Sequence, residues 1–371
     1  MKNKKIIKLI IFIIVLLILG VVGTLYEKNN AVRLYLDRYV FFKEKHENNL
    51  PKILIEYDNS THIYSYKNSI IVLKNNVLTA YNHYGNEEYK LDIEISNPIF
   101  CTNGNYLAIA EKNGTKVYVI LDKNIIWQKN LEGDITNLKI NSNGYLLVAT
   151  SGAISKQIVH TFDDKGNEQF KNFISSTNII DMDISPDNKY VALAEVNCSG
   201  ILIQSNIKII SVEKAKTTPL ESIIYTKTGE DGDLIVNIKY QGKNKLVALY
   251  DNHVETIEAD NVNSMDYTQE DVLFVDLNNR IVKVINRNNQ IILQIINDDL
   301  KTIKEYEIQE PKSMCVSDNA IALNLGNEIL FYNNSGWLTK RYYADQEVNK
   351  IVLCDDVAGI IYNEKIELVS L

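Results

Sequence analysis

Residues 181–195 read DMDISPDNKYVALAE. A short alternating strand ends in Ser-Pro-Asp-Asn, and a stronger apolar strand follows. That is the signature of a β-hairpin closed by turn-forming residues. The pattern returns as PIFCTNGNYLAIA (98–110), NLKINSNGYLLVAT (137–150), NIKYQGKNKLVALY (237–250), SMCVSDNAIALNL (313–325) and KIVLCDDVAGIIY (350–362). Looser copies are HIYSYKNSIIVL (62–73) and VLFVDLNNRIVKVI (272–285). The second strands centre on Ile71, Ala108, Val148, Ala192, Val247, Val282, Ala322 and Ala358. Their spacing is about 35 to 44 residues, with one step of about 55, which matches the blade period of a β-propeller. The long step implies an insertion between Cys198 and Asp233, rich in Lys, Thr and Gly.

A second motif follows the hairpins: a strand, a polar turn and an aromatic strand. It appears in VLTAYNHYGNEEYKL, KVYVILDKNIIWQKNL, IVHTFDDKGNEQFKNF and EILFYNNSGWLTKRYY. Two motifs in fixed order make a four-stranded unit. Eight such units fill most of the chain, so the expected class is all-β, an eight-bladed propeller over residues 51–371. Seven blades stay open, because Asn261 to Arg280 can be divided in two ways. The last unit, Val348 to Leu371, has room for three strands, and KILIEY (Lys52–Tyr57) stands unpaired at the start. Pairing the two closes the ring and removes an exposed strand edge.

Outside the repeats, residues 6–26 (IIKLIIFIIVLLILGVVGTLY) are almost wholly apolar. This is long enough to cross a bilayer. Lys2, Lys4 and Lys5 precede it, which places residues 1–5 in the cytoplasm by the positive-inside rule. Lys8 can snorkel to the interface. A cleaved signal peptide is the competing reading, but the run exceeds a usual h-region and lacks a good small-residue cleavage site. Residues 27–50 carry Val32, Leu36, Tyr39 and Phe42 at helical spacing, as expected of an amphipathic stalk. The expected topology is therefore a single-pass cell-membrane anchor with the propeller outside the cytoplasm.

Net charge is −8, and Lys2, Lys4, Lys5 and Lys8 supply four positive charges, leaving −12 for residues 9–371. Such an acidic domain argues against nucleic acid as a partner. Cys101, Cys198, Cys315 and Cys354 form no C-x-x-C pair and no zinc spacing. Three lie in or beside apolar runs, as buried thiols do.

DISPDNKYVALA (Asp183 to Ala194) resembles the D-x-S-P-D-G-K hairpin of WD40-like and TolB-like propellers, with Asn188 where glycine is usual. Asn also tolerates a left-handed turn. LDKNIIWQKNL (Leu121 to Leu131) and NNSGWLTKRYY (Asn333 to Tyr343) resemble degenerate quinoprotein-type turns. The whole arrangement, including VRLYLDRYVFF (Val32 to Phe42), is similar to a clostridial group of single-pass membrane proteins with a propeller ectodomain. That resemblance implies fold and topology and carries no activity.

No catalytic, cofactor or metal site is expected. A quinone site needs stacked aromatics, calcium ligands and often a cysteine pair. The chain has only Trp127 and Trp337, in the outer part of their blades, and no adjacent cysteines, so quinoprotein chemistry is not expected. His46, His62, His83, His160 and His253 show no H-E-x-x-H spacing, and no G-x-S-x-G is present. Acidic pairs occur at Asp181/Asp183, Asp231/Asp233, Asp298/Asp299 and Asp355/Asp356 without EF-hand spacing. The leading expectation is a non-catalytic module that binds an envelope or membrane protein, or a ligand, through Lys74–Asn76, Glu111–Thr115, Ser151–Ser155 and Asn286–Asn289. The bilayer is a further partner through residues 6–26; oligomeric state stays open. The alternative is an envelope carbohydrate- or peptide-processing enzyme with its site at the channel, for which Asp181 and Asp183 are the nominees. Alternation sends both to one strand face. They need partners if that face meets the next blade, and form a site if it looks into the channel.

Overall fold

A computed structural model describes residues 20–25, 50–259 and 261–371. Most of the expected anchor (6–26) and nearly all of the expected stalk (27–50) lie outside the described residues. Among the described residues, no helix is long and apolar enough to cross a membrane.

Eight antiparallel sheets of four strands account for residues 52–370. Blade 1 is His62–Tyr66, Ser69–Lys74, Val77–Tyr81 and Glu87–Asp92. The order repeats through blade 7, which ends with Leu338–Tyr343. Asn261–Asp266 is the outer strand of blade 5 and Asp271–Leu277 the inner strand of blade 6, so eight blades is the count. Every expected second-strand centre falls in a second strand. First strands touch the first strands of neighbouring blades, and His62–Tyr66 meets Lys350–Leu353, so they form the inner ring.

Closure follows the expected route. Blade 8 takes three strands from Lys350–Leu353, Val357–Ile361 and Lys365–Ser370, and its outer strand is Lys52–Leu54. Lys52, Ile53 and Leu54 pair with Glu367, Ile366 and Lys365. The pairing runs on through Ile55 N to Glu364 O (3.1 Å) and Tyr57 N to Asn363 O (2.8 Å). The insertion lies in blade 4, where α1 (Val212–Thr217) and a turn at Pro219–Glu221 separate the third and fourth strands. Ser211 caps α1, and Val212 and Ala215 pack onto the core between blades 3 and 4.

The core is divided into eight layers, one in each seam between blades. Second strands are covered on both faces, which is why they read as continuous apolar runs. In blade 2, Leu107 and Ile109 pack toward blade 1, while Ala108 and Ala110 pack toward blade 3. Large side chains on one face meet small ones on the other, and the seams interlock. Gly359 shows how tight the final seam is. A Cβ there would lie 2.9 Å from Ile70 Cδ1 of blade 1 and 2.9 Å from Val352 Cγ2.

Antiparallel order gives the ring two distinct faces. One carries the second-to-third loops and the loops between blades. The other carries the first-to-second and third-to-fourth turns. Pro51 enters blade 8 on the turn face: its carbonyl accepts from Leu368 N (3.0 Å), and Leu371 N donates to Asp356 O in the first-to-second turn (2.9 Å).

Candidate functional site

The inner strands decide between the two readings of Asp181 and Asp183. Both sit on Asn178–Ile184, the inner strand of blade 4, beyond a bulge that makes Ile180 the extra residue. Both carboxylates reach the inner strand of blade 5, Ile235–Gln241. Asp183 Oδ2 accepts from Tyr240 N at 2.7 Å, and Asp181 Oδ2 accepts from Ile238 N at 3.0 Å. The shared face therefore meets the next blade. The two acids pair with alternate backbone amides of a strand whose inner edge has no other sheet partner. This spacing is what two acids at i and i+2 require.

Lys139, on the inner strand of blade 3, completes the group. Its ammonium lies 3.5 Å from Asp181 Oδ2. Burial alone would lower its affinity for protons, but the charges of Asp181 and Asp183 outweigh burial and hold its pKa above the ordinary value. Burial pushes the Asp183 carboxyl up, against Lys139 and the Tyr240 amide, which both favour the ionised form. Asp183 is 5% exposed. The cluster links three blades and presents no free carboxylate pair for acid–base work.

The same inner-strand position carries a polar, aromatic or sulfur-bearing side chain in six of the eight blades, while blades 3 and 8 place Leu138 and Leu353 there. Tyr64, Cys101, Asp183, Lys239, Asp276 and Cys315 each pair with a second-strand centre. Cys101 Sγ accepts from Ile140 N of the next blade (3.3 Å), as Asp183 does from Tyr240. Cys315 packs at the seam between blades 7 and 8, where burial raises its thiol to about 11. Lys239 bonds Asn278 and, at 2.7 Å, Asp318 Oδ1. Lys350 donates to Ile63 O at 2.8 Å, and burial holds its pKa below the ordinary value. This recurring join between inner strands was not anticipated from sequence. From the position opposite the second-strand centre, Asp183 and Cys101 accept an amide of the next inner strand, and that position is visible only after the register is known.

The remaining nominees are held locally. His160 is buried, with Nδ1 2.7 Å from Glu168 Oε1 and Nε2 3.1 Å from Thr150 Oγ1. His46 lies outside the described residues. Lys245 Nζ reaches Asp298 and Asp299 at 3.1 Å each. Asn319 and Asn68 donate to Asp355 and Asp356 at 3.1 Å each. Trp127 packs on Phe162, with 5.7 Å between ring centroids, and Lys304 lies 3.8 Å over the Trp337 ring. No cluster of three metal-ligating side chains occurs among the described residues. The described cysteines are all free thiols.

The loop face differs from its expected polar character at one sector. Ser151–Ser155 carries a fully exposed Ile154. The corresponding loop of blade 4 presents Ile201, Leu202 and Ile203. Elsewhere the loops match expectation: Lys74–Asn76 and Asn286–Asn289 turn through left-handed Asn75, Asn76, Asn288 and Asn289.

Residues 43–371 match the Family of unknown function (DUF5711), and the chain belongs to that family. No curated protein matches it. Several solved propellers are similar in fold. BamB from Moraxella catarrhalis aligns with TM-score 0.50 and 12% identity, over 87% of this chain and 100% of that one. The C-terminal WD40 domain of Sif2 aligns with TM-score 0.59 and 11% identity, over 87% and 99%. Chaetomium thermophilum Sqt1, solved bound to the N-terminus of ribosomal protein L10, aligns with TM-score 0.54 and 9% identity, over 87% and 100%. These likenesses show a shared fold.

Proposed function

We propose that this DUF5711 family member is a membrane-anchored, extracytoplasmic propeller that binds a protein or ligand of the cell envelope without catalysing a reaction. The observation that carries the reading is the assignment of Asp181 and Asp183 to the amides of Ile238 and Tyr240. The two carboxylates nominated for channel chemistry instead join blades. What is left for function is a wide rigid ring with loops on one face, an arrangement suited to recognition. Sqt1, a propeller of similar fold, holds a protein N-terminus, and binding of a protein segment is the use proposed here.

Topology supports an orientation. Pro51 enters on the turn face, beside Leu371. With residues 6–26 as a single-pass anchor and residues 1–5 in the cytoplasm, the turn face looks toward the bilayer. The loop face then looks away from it, open to a partner. The test is crosslinking in cells from photoreactive residues placed singly at Lys74, Lys112, Ile154 and Asn288 on the loop face, and at Lys123 and Asn334 on the turn face. A defined adduct from either face supports partner binding. No adduct from any position contradicts it.

A further inference from the structure

The loop face carries one apolar sector, in blades 3 to 5. Ile154 and Ile201 are fully exposed, and Leu202 and Ile203 are 56% and 41% exposed. Ile180 and Val236 are the extra residues of bulges at the start of the inner strands of blades 4 and 5, and both are exposed. Bulges re-aim a side chain out of the pleat. Here they turn apolar residues outward at the loop-face end of strands that are otherwise buried.

Hydrogen bonds hold the blade 4 loop against the connection into blade 5, and the blade 4 bulge against blade 3. Gly232 N donates to Ile203 O (2.8 Å), joining the blade 4 loop to the connection into blade 5. Ser205 Oγ bridges Asp233 O and Ile235 N, both at 2.8 Å, one residue from Val236. Asn137 Nδ2 donates to Ile180 O at 2.9 Å.

Acids border this sector on its blade 4–5 side, while Lys156 stands exposed beside Ile154 at its blade 3 end. Glu230 and Asp231 are exposed beside the Ile203–Gly232 bond. Asp231 receives Gln204 Nε2 (3.3 Å), Asp233 receives Asn252 Nδ2 (2.7 Å), and Asp251 receives Leu234 N (3.1 Å). These partners are neutral, so their charge stands uncompensated next to the apolar loop. Exposed apolar patches with a polar border mark interaction sites, and complementary charge selects the partner.

We propose that the blade 3–5 sector of the loop face docks a protein segment whose apolar side chains are flanked by lysine or arginine. This rests on the binding function proposed above. Leucine or isoleucine side chains of the partner cover Ile201, Leu202 and Val236, while its cations face Glu230, Asp231, Asp233 and Asp251. The acidic border disfavours an anionic lipid surface, which would have to approach four carboxylates.

The probe is a fluorescein-labelled 12-residue peptide of leucines separated by lysines and serines. Its companion has glutamate at each lysine. Binding to the full chain is read by fluorescence anisotropy. The lysine peptide is expected to bind about tenfold or more tightly than the glutamate peptide. The double variant Ile201→Asp/Leu202→Asp is expected to weaken it about tenfold, and Glu230→Lys/Asp231→Lys about fivefold. Glu258→Lys, an exposed acid on the turn face, changes the same bulk charge and should leave binding within about twofold. Equal affinity for both peptides, or equal loss in the Glu258 variant, overturns the proposal. A dimer in sedimentation that Ile201→Asp/Leu202→Asp dissolves assigns the sector to a second copy and also overturns it. So does Ile201-dependent binding to phosphatidylglycerol vesicles. Adducts in cells from Lys123 or Asn334 alone would sink this inference while leaving the binding function standing.

Discussion

Replacing Asp183 by Ala removes the inner-strand join at its most buried point. Tyr240 N loses a charged acceptor at 2.7 Å, and leaving that amide unpaired costs about 2 kcal/mol. Lys139 keeps Asp181 at 3.5 Å, so the further loss from its weakened pairing is about 1 kcal/mol. The sum is roughly 3 kcal/mol. A domain of roughly 320 residues has a melting entropy of about 0.7 kcal/mol/K, so Tm should fall by about 4–5 °C. Asp183→Asn keeps an acceptor for Tyr240 and should stay within about 1 kcal/mol of the parent. It should also change the pH dependence. Burial raises the Asp183 carboxyl above its ordinary 3.8, so the folded chain holds this proton to higher pH than the unfolded chain. The group's contribution to stability is largest at acid pH and falls as pH rises from 3.8 through the raised value. The Asn variant should lose that part of the slope. Differential scanning calorimetry between pH 3.5 and 7 reads both effects. A Tm for Asp183→Ala within about 1 °C of the parent would show that the contact with blade 5 does not hold the ring, and would return Asp183 to the channel.

Ring closure depends on Ile53, which is 3% exposed in the seam between blades 8 and 1; Ile53→Asp buries an unpaired charge there and should cost about 4 kcal/mol, read as rapid proteolysis in limited trypsin digestion. Glu367 is held below its ordinary 4.5 despite burial, by Lys365, Tyr342 and Lys52. Its contribution is therefore full above 4.5 and fades as pH falls through the lowered value, so Glu367→Gln should lower Tm by about 2 °C at pH 7 and by progressively less as pH falls below 4.5. Burial raises the Cys315 thiol to about 11 and Cys354 to about 12, and Cys101 is also raised, whereas Cys198 is exposed. A maleimide at pH 7 should add one label to the native chain, at Cys198, and four after denaturation, as counted by mass spectrometry.

The blade count and the closing strand were legible because propeller geometry repeats in sequence. Second strands covered on both faces give apolar runs such as YLAIAE and YVALAE, and turn residues such as Asn188, at φ 61°, mark their ends. Asn261 to Arg280 stayed ambiguous because Asn261–Asp266 is largely exposed and lacks the apolar alternation that marks a strand. Asp181 and Asp183 could be placed on one face by alternation, yet which neighbour that face meets is set by the stacking of blades 4 and 5. Lys139 escaped notice for the same reason: it belongs to the cluster through a seam. The apolar sector was missed because Ile180 and Val236 sit where two bulges break the alternation used to read them.

Amide hydrogen exchange, compared between the full chain in its native membrane and the purified full chain, tests most directly whether the loop face is the working surface. Exchange rates report local covering of the backbone. The account predicts slower exchange in the membrane for residues 152–156 and 198–203, with unchanged rates in the third-to-fourth turns at 122–123 and 334–337. Equal rates on both faces in the two preparations, or slowing confined to the turns, would contradict it.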